Sequence, residues 1–189
     1  MPETAAATRF LYHACPPELF GDVLYPLANL AELNPKLYAR ELSKYSDHPA
    51  RRRIPWARVA KLGCARRETL NFAPVHPQLI YRAWFELGIT LPATRWFSVP
   101  VRRFGGLPAV IYTPSGGDAG ADLTDAEVSW FSAETYRELT ELPPETLTWY
   151  RQLLETHRRG GWFARVPHVL VKGPVSVAGL EAFGWSASG

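Results

Sequence analysis

The amino-acid sequence predicts an α+β fold, on two observations. Short apolar segments that are typical of strands occur from one end of the chain to the other. Segments with helical spacing lie between them without a repeating strand–helix alternation, which favours α+β over a parallel α/β sheet. The chain has 189 residues, of which 47% are apolar. We therefore expect one domain over residues 9–189, preceded by a disordered tail at residues 1–8.

Six segments have the composition of strands, and a seventh, 162–165, has it more weakly. Each is a short run rich in β-branched or aromatic residues, and several are closed by proline, glycine or charged residues. The six predicted strands are residues 10–14, 69–73, 95–99, 109–113, 128–132 and 169–172.

Three segments have apolar residues at helical spacing, namely 34–45, 77–87 and 144–157. Each has a proline at or next to its start, where the missing N–H costs no helical hydrogen bond. The glycine-rich residues 114–122 are predicted to form a long hairpin connection between two strands.

The net charge of +3 is unevenly distributed along the chain. Residues 49–67 contain seven cationic and no acidic side chains, so this segment carries +7 and the remainder −4. Arginine pairs well with phosphate oxygens, and Trp56 within the segment is suited to stacking on a base. The alternative is a solvated loop flanked by Asp47 and Glu68. The seven cations are Arg51, Arg52, Arg53, Arg58, Lys61, Arg66 and Arg67.

Several familiar chemistries lack their motifs in this chain. GxGxxG, GxxxxGK[ST], HExxH and GxSxG are all absent, and we expect no metal. Cys15 and Cys64 form no CxxC pair, which favours reduced thiols and a cytoplasmic protein. The opening MPETAAA lacks the regions of a secretory signal, and no apolar stretch approaches the ~20 residues of a membrane helix. We therefore expect no membrane contact.

Two predicted strands near opposite ends of the chain each carry a histidine, His13 in RFLYHACPP and His168 in RVPHVLVKGP. We predict that these strands are neighbours in one sheet, with both imidazoles on the same side of a concave surface. Two-histidine phosphoesterases use such a pair as acid and base, but they require Ser or Thr two residues after each histidine. This chain has Cys15 and Leu170 there. The alternative is that each imidazole is a buried, hydrogen-bonded core group.

The segments around these histidines resemble ADP-ribosyltransferase-like proteins. LYHA followed by GDVLYPLANLAEL is similar to the start of that family, and VPHVLVKGPVSVAGLEAF is similar to the final strand and turn of its small DarT-like members. The chain is also similar to bacterial proteins of the same length with YH near the start, HP in the middle and VPH near the end. The resemblance implies a split, mostly antiparallel sheet with flanking helices and a cleft that accepts NAD.

The resemblance also implies roles for individual residues. His13 would contact ribose hydroxyls, and an aromatic side chain would stack on nicotinamide. The candidates for the aromatic role are Tyr12, Tyr25, Phe72 and Tyr81. The phosphate contacts are expected from Arg51, Arg52 and Arg53, and His76 is a further candidate for this site.

The chain departs from the family where the final strand would offer Glu, because His168 stands there. Cleavage of the glycosidic bond develops positive charge that a carboxylate stabilises and a neutral imidazole does not. Either Glu134 substitutes, or the cleft binds the nucleotide without transferring ADP-ribose. The alternative functions are a nucleic-acid-binding module without enzymatic activity, which uses residues 49–67, and a non-enzymatic interaction protein.

Overall fold

The computed structural model describes residues 9–114, 116–156 and 161–186, so the predicted tail at residues 1–8 lies outside the described part. Its helices are α1 (Leu27–Leu33), α2 (Pro35–Ser43), α3 (Pro49–Arg53), α4 (Pro77–Glu86) and α5 (Pro144–Glu155). Its strands are β1 (Phe10–Ala14), β2 (Val23–Leu24), β3 (Arg58–Val59), β4 (Cys64–Ala65), β5 (Thr69–Phe72), β6 (Arg95–Pro100), β7 (Ala109–Tyr112), β8 (Val128–Trp130), β9 (His168–Lys172), β10 (Val175–Ser176) and β11 (Ala182–Gly184). Short 3₁₀ turns cover Ile54–Trp56, Ala60–Leu62, Arg66–Glu68 and Val101–Phe104.

Two antiparallel sheets form the centre of the structure. One has three strands in the order β1-β6-β11, and the other has four in the order β5-β9-β7-β8. Tyr12 at β1 and Ala73 after β5 join the sheets through reciprocal backbone hydrogen bonds of 2.9 and 2.8 Å. Helices and antiparallel sheets together confirm the predicted α+β class.

The burial of the central strand β9 on both faces explains why its sequence is continuously apolar. Val169 and Val171 pack into one core cluster and Leu170 into another, and all three are fully buried. A strand covered on both faces needs apolar residues at every position rather than at alternate ones. β9 therefore contributes side chains to two cores, one on each side of the four-stranded sheet.

Helices α4 and α5 form a third core with several tryptophans. Trp84 of α4 lies 4.4 Å from the ring of Tyr150 of α5, measured between centroids, and Trp185 is fully buried in the same cluster. Burial of such large rings contributes much of the apolar stabilisation in a domain of this size. This core holds the three-stranded sheet against the two helices.

Most elements predicted from local patterns are confirmed. All six predicted strands form, and α2, α4 and α5 fall within the three predicted helices, with the end of 144–157 outside the described residues. The described part of 114–122 connects the paired strands β7 and β8, as predicted. The weaker strand prediction at 162–165 is wrong. These residues form a turn, because Trp162 and Phe163 pack against the tryptophan core instead of joining a sheet.

The predicted pairing of the two histidine strands is also wrong. β1 pairs with β6, whereas β9 pairs with β5 and β7 in the other sheet. Tyr12 is opposite Ala73, and continuing the register of β5 with β9 by one residue places Ala73 opposite His168. Residues in one row share a face of the sheet and their chain neighbours point the other way. His13, next to Tyr12, therefore points away from the face that carries His168.

Candidate functional site

A cavity of about 300 Å³ opens beside β1, between β5 and the helices α1 to α3. We call it the His13 cavity. Leucines from β2, α1, α2 and β5 form much of its apolar wall. Its polar lining consists of His13, Glu18, Tyr25, Glu41, Lys44, Tyr45, Arg51, Thr69 and Asn71. Of the predicted site residues, the structure therefore brings His13, Tyr25 and Arg51 together.

His13 is held in one orientation at the base of this cavity. Its Nδ1 lies 2.7 Å from the carbonyl oxygen of Ala14, and its ring packs 5.1 Å from the ring of Phe72. Burial lowers the pKa of His13 to about 4, although the Ala14 carbonyl and the Glu41 carboxylate oppose that shift. The imidazole is therefore neutral at pH 7. With Nδ1–H donating to Ala14, Nε2 is left as an acceptor for a ligand hydroxyl.

Glu41 is one of two acidic residues of the cavity, with Glu18, that sequence analysis missed. Its Oε1 is buried without a hydrogen-bond partner among the described residues and lies 3.7 Å from Arg40 Nε, while Oε2 accepts from Lys44 Nζ. The signal was present in the sequence, because Glu41 lies four residues after Leu37 on the apolar side of α2. A carboxylate on that stripe faces the cavity rather than bulk water.

The three consecutive arginines of α3, predicted as phosphate contacts, have three different sets of partners. Arg51 lines the His13 cavity and pairs with Asp47. Arg52 donates from Nε to the carbonyl oxygen of Ser46 at 3.1 Å. Arg53 pairs with Asp118 in the loop after β7. Successive residues of a helix project about 100° apart, which separates the three guanidinium groups.

The remaining cations of residues 49–67 differ in their surroundings, and Lys61 is the one that pairs with a carboxylate among the described residues. Lys61 Nζ lies 3.2 Å from Asp125, and the guanidinium groups of Arg66 and Arg67 lie over aromatic rings at 5.3 and 4.3 Å. Asp122 accepts a hydrogen bond from the backbone N–H of Arg58. Two cations of this segment, Arg53 and Lys61, therefore pair with acidic residues of the loop between β7 and β8.

Three of the aromatic candidates lie outside the ligand-accessible part of the cavity. Phe72 is fully buried and backs the His13 ring. Tyr12 points to the opposite face and donates its hydroxyl to Glu138 at 3.0 Å. Tyr81 belongs to α4, and its ring lies 5.9 Å from that of Trp185. Tyr25 is thus the predicted aromatic residue that lines the cavity, and Tyr45 is an addition to it.

His76 and Glu134 do not reach the His13 cavity either. His76 caps α4, its Nδ1 accepting from the N–H of Gln78 at 3.3 Å, and burial lowers its pKa. Glu134 is exposed, and its carbonyl oxygen accepts from Arg9 on another part of the surface. Glu134 therefore does not supply the carboxylate of the His13 cavity. It lies beside Arg9, just before the start of β1, whereas His13 is near the end of that strand.

His168 lies in a separate cavity of about 700 Å³ that includes Arg66, Tyr112, Asp118, Trp149 and Arg165, which we call the His168 cavity. Its ring is stacked 6.4 Å from that of Tyr112. Burial, with a smaller effect of the nearby Arg66 charge, lowers the pKa of His168 to about 4. The two histidines thus share no site.

The described residues contain no group of three His, Cys, Asp or Glu side chains placed to hold a metal ion. In the same part of the chain, no helix combines the length and the apolar character needed to cross a membrane.

Comparison with protein-family models gave no match, and neither curated proteins nor solved structures gave one.

Proposed function

We propose that the protein binds a nucleotide of the NAD type in the His13 cavity, as an ADP-ribosyltransferase-like protein. The observation that carries the proposal is that one cavity combines a neutral, oriented His13 with the carboxylate of Glu41 and the cation of Arg51. Small-molecule sites span roughly 300–1,000 Å³, so this volume suits one nucleotide half of a dinucleotide. The other half would extend through the open side of the cavity.

Each group has a role that its environment supports. His13 Nε2 accepts a hydrogen bond from a ribose hydroxyl, since Nδ1 is committed to the backbone. Tyr25 offers a ring for stacking on nicotinamide, and Arg51 and Lys44 supply positive charge for the diphosphate. The Arg51–Asp47 pair is exposed and weak enough to rearrange on binding, and Lys44 is exposed on its side of the pair with Glu41.

Glu41 is the group that would support transfer. When the bond between ribose and nicotinamide breaks, nicotinamide leaves with the electron pair and positive charge develops on the ribose. The Glu41 Oε1, free of hydrogen bonds among the described residues, can stabilise that charge. An acceptor hydroxyl or water then adds to the ribose carbon and loses its proton.

The paired cations of residues 49–67 argue against the nucleic-acid-binding alternative. Sequence-independent nucleic-acid binding depends on several cations that are free to neutralise phosphates. Here Arg51, Arg53 and Lys61 face carboxylates. We therefore favour a shaped cavity over a basic surface.

The test measures NAD affinity by calorimetry and nicotinamide release for the wild type and three variants. We expect His13→Ala to weaken NAD binding. Glu41→Gln should retain binding and lower release by ~100-fold or more, because the amide keeps the shape and loses the charge. Glu134→Gln is the matched control and should behave like the wild type. A wild type that does not bind NAD refutes the proposal, and release that survives Glu41→Gln refutes the role of Glu41.

A further inference from the structure

The His168 cavity is not used by the proposed function. We propose that it binds a small organic phosphate monoester, with Arg66 and Arg165 as the anion contacts. This inference does not depend on NAD binding in the His13 cavity, because the two cavities have no lining residue in common.

Arg66 is a partly buried cation without a carboxylate partner among the described residues. Its guanidinium lies 5.3 Å from the centre of the Tyr112 ring, and its Nε is buried without a hydrogen-bond partner among the described residues. No described carboxylate lies within ion-pair distance of it. An uncompensated buried charge is unfavourable, so an anion that reaches it gains more than it would at an exposed arginine.

Arg165 supplies a second guanidinium, and its backbone conformation is a separate indication of a functional role. It is the one non-glycine residue with a positive φ, 61°, in the described part of the chain. Its guanidinium lies 5.1 Å from the Trp149 ring and directly beside Gly116. Left-handed backbone is unfavourable for arginine, and such strain persists where a side chain is needed in one place.

The acidic residues of the cavity are already engaged. Asp118 accepts from Arg53 and from the N–H of Gly120, and Asp122 accepts from the N–H of Arg58. Glu127 accepts from both the N–H and the hydroxyl of Thr124. Among the described residues, none of these carboxylates forms an ion pair with Arg66 or Arg165.

The charge and the walls of the cavity define the ligand class. Two guanidinium groups match a phosphate monoester, which carries about −1.5 to −2 at pH 7, better than a singly charged carboxylate. Phe163 and His168 provide flat apolar and weakly polar surface for a ring attached to the phosphate. The volume of about 700 Å³ accommodates a ligand of that size.

The experiment is calorimetric titration of the full chain, in phosphate-free buffer at low salt, with phenyl phosphate, benzoate and benzyl alcohol. We expect phenyl phosphate to bind, benzoate to bind about tenfold more weakly or less, and benzyl alcohol not to bind. Arg165→Gly should weaken phenyl phosphate binding about tenfold or more without lowering the Tm, because glycine adopts the positive φ without strain. Arg66→Lys should weaken it as well, since the ammonium lacks the planar fork.

Two further variants separate this inference from the proposed function. Arg151→Gln removes an exposed arginine of α5 outside the cavity lining and should leave binding unchanged. Phenyl phosphate binding that is lost in Arg51→Ala but kept in Arg165→Gly would place the anion in the His13 cavity and overturn the inference. Benzoate binding as tight as that of phenyl phosphate would overturn the ligand class. A protein that binds phenyl phosphate but not NAD would uphold this inference and refute the proposed function.

Discussion

The His13 cavity and the His168 cavity differ in how their cations are compensated. In the first, Lys44 and Arg51 each contact a carboxylate. In the second, Arg66 and Arg165 lie against aromatic rings without a described carboxylate partner. A cation on a ring keeps its charge available to a ligand, whereas an ion pair must first rearrange. Two histidine strands of similar sequence thus lead to chemically different sites.

The largest expected effect comes from the contact that joins the two regions. Gly120, in the loop between β7 and β8, packs against α3, and a Cβ there would lie 2.4 Å from the Ala50 carbonyl oxygen. Gly120→Ala should lower the free energy of unfolding by about 1–3 kcal/mol and weaken ligand binding in both cavities. Gly161→Ala is the control, because no atom lies within 4 Å of its added Cβ. Equal unfolding free energies for the two variants, measured in urea, would contradict this coupling.

The second effect is the pH dependence of stability, which depends on a property that the two regions share, a neutral histidine. The pKa of each is lowered from 6.5 to about 4 by burial, so the unfolded chain binds protons that the folded chain does not. Stability is then fully present above pH 6.5 and is lost progressively as the pH falls toward 4, by an amount on the order of 1–3 kcal/mol for each histidine. His13→Gln and His168→Gln should each flatten the stability profile between pH 6.5 and 4. A slope unchanged in both variants would show that other groups cause it.

These effects also show what local sequence can and cannot predict. Strands such as 109–113 and helices such as 77–87 follow from patterns within a few residues, and they are confirmed. The pairing of β1 with β6 depends on contacts about 85 residues apart, which no local pattern contains. The compensation of Arg53 by Asp118 is hidden for the same reason, since the partners lie 65 residues apart. The position of Glu41 could have been predicted, because its spacing along a predicted helix is a local pattern.

A third prediction concerns Glu138, which holds β1 in place. Its substitution should affect ligand binding in one cavity and not in the other. Glu138 accepts from the N–H of Phe10 and from the Tyr12 hydroxyl, on either side of Leu11 in the strand that carries His13. Glu138→Gln replaces one acceptor oxygen with an NH₂ group and should cost about 1–2 kcal/mol of unfolding free energy. NAD affinity should fall with it, while phenyl phosphate affinity should not. A parallel loss of both affinities would mean that β1 supports the two cavities alike.

The smallest expected effect is on the free energy of unfolding, and it comes from substitutions of the arginines of α3. The same substitutions should differ clearly from one another in NAD binding. Arg51, Arg52 and Arg53 are all exposed, so each single substitution by alanine should change the free energy of unfolding by less than about 0.5–1 kcal/mol. Only Arg51 lines the His13 cavity, and Arg51→Ala should weaken NAD binding severalfold more than Arg52→Ala or Arg53→Ala. Because the three changes lie on one short helix and remove the same charge, long-range electrostatics cannot produce the difference. Equal losses of NAD affinity in all three variants, measured at two salt concentrations, would instead indicate a diffuse basic surface and would restore the nucleic-acid-binding alternative.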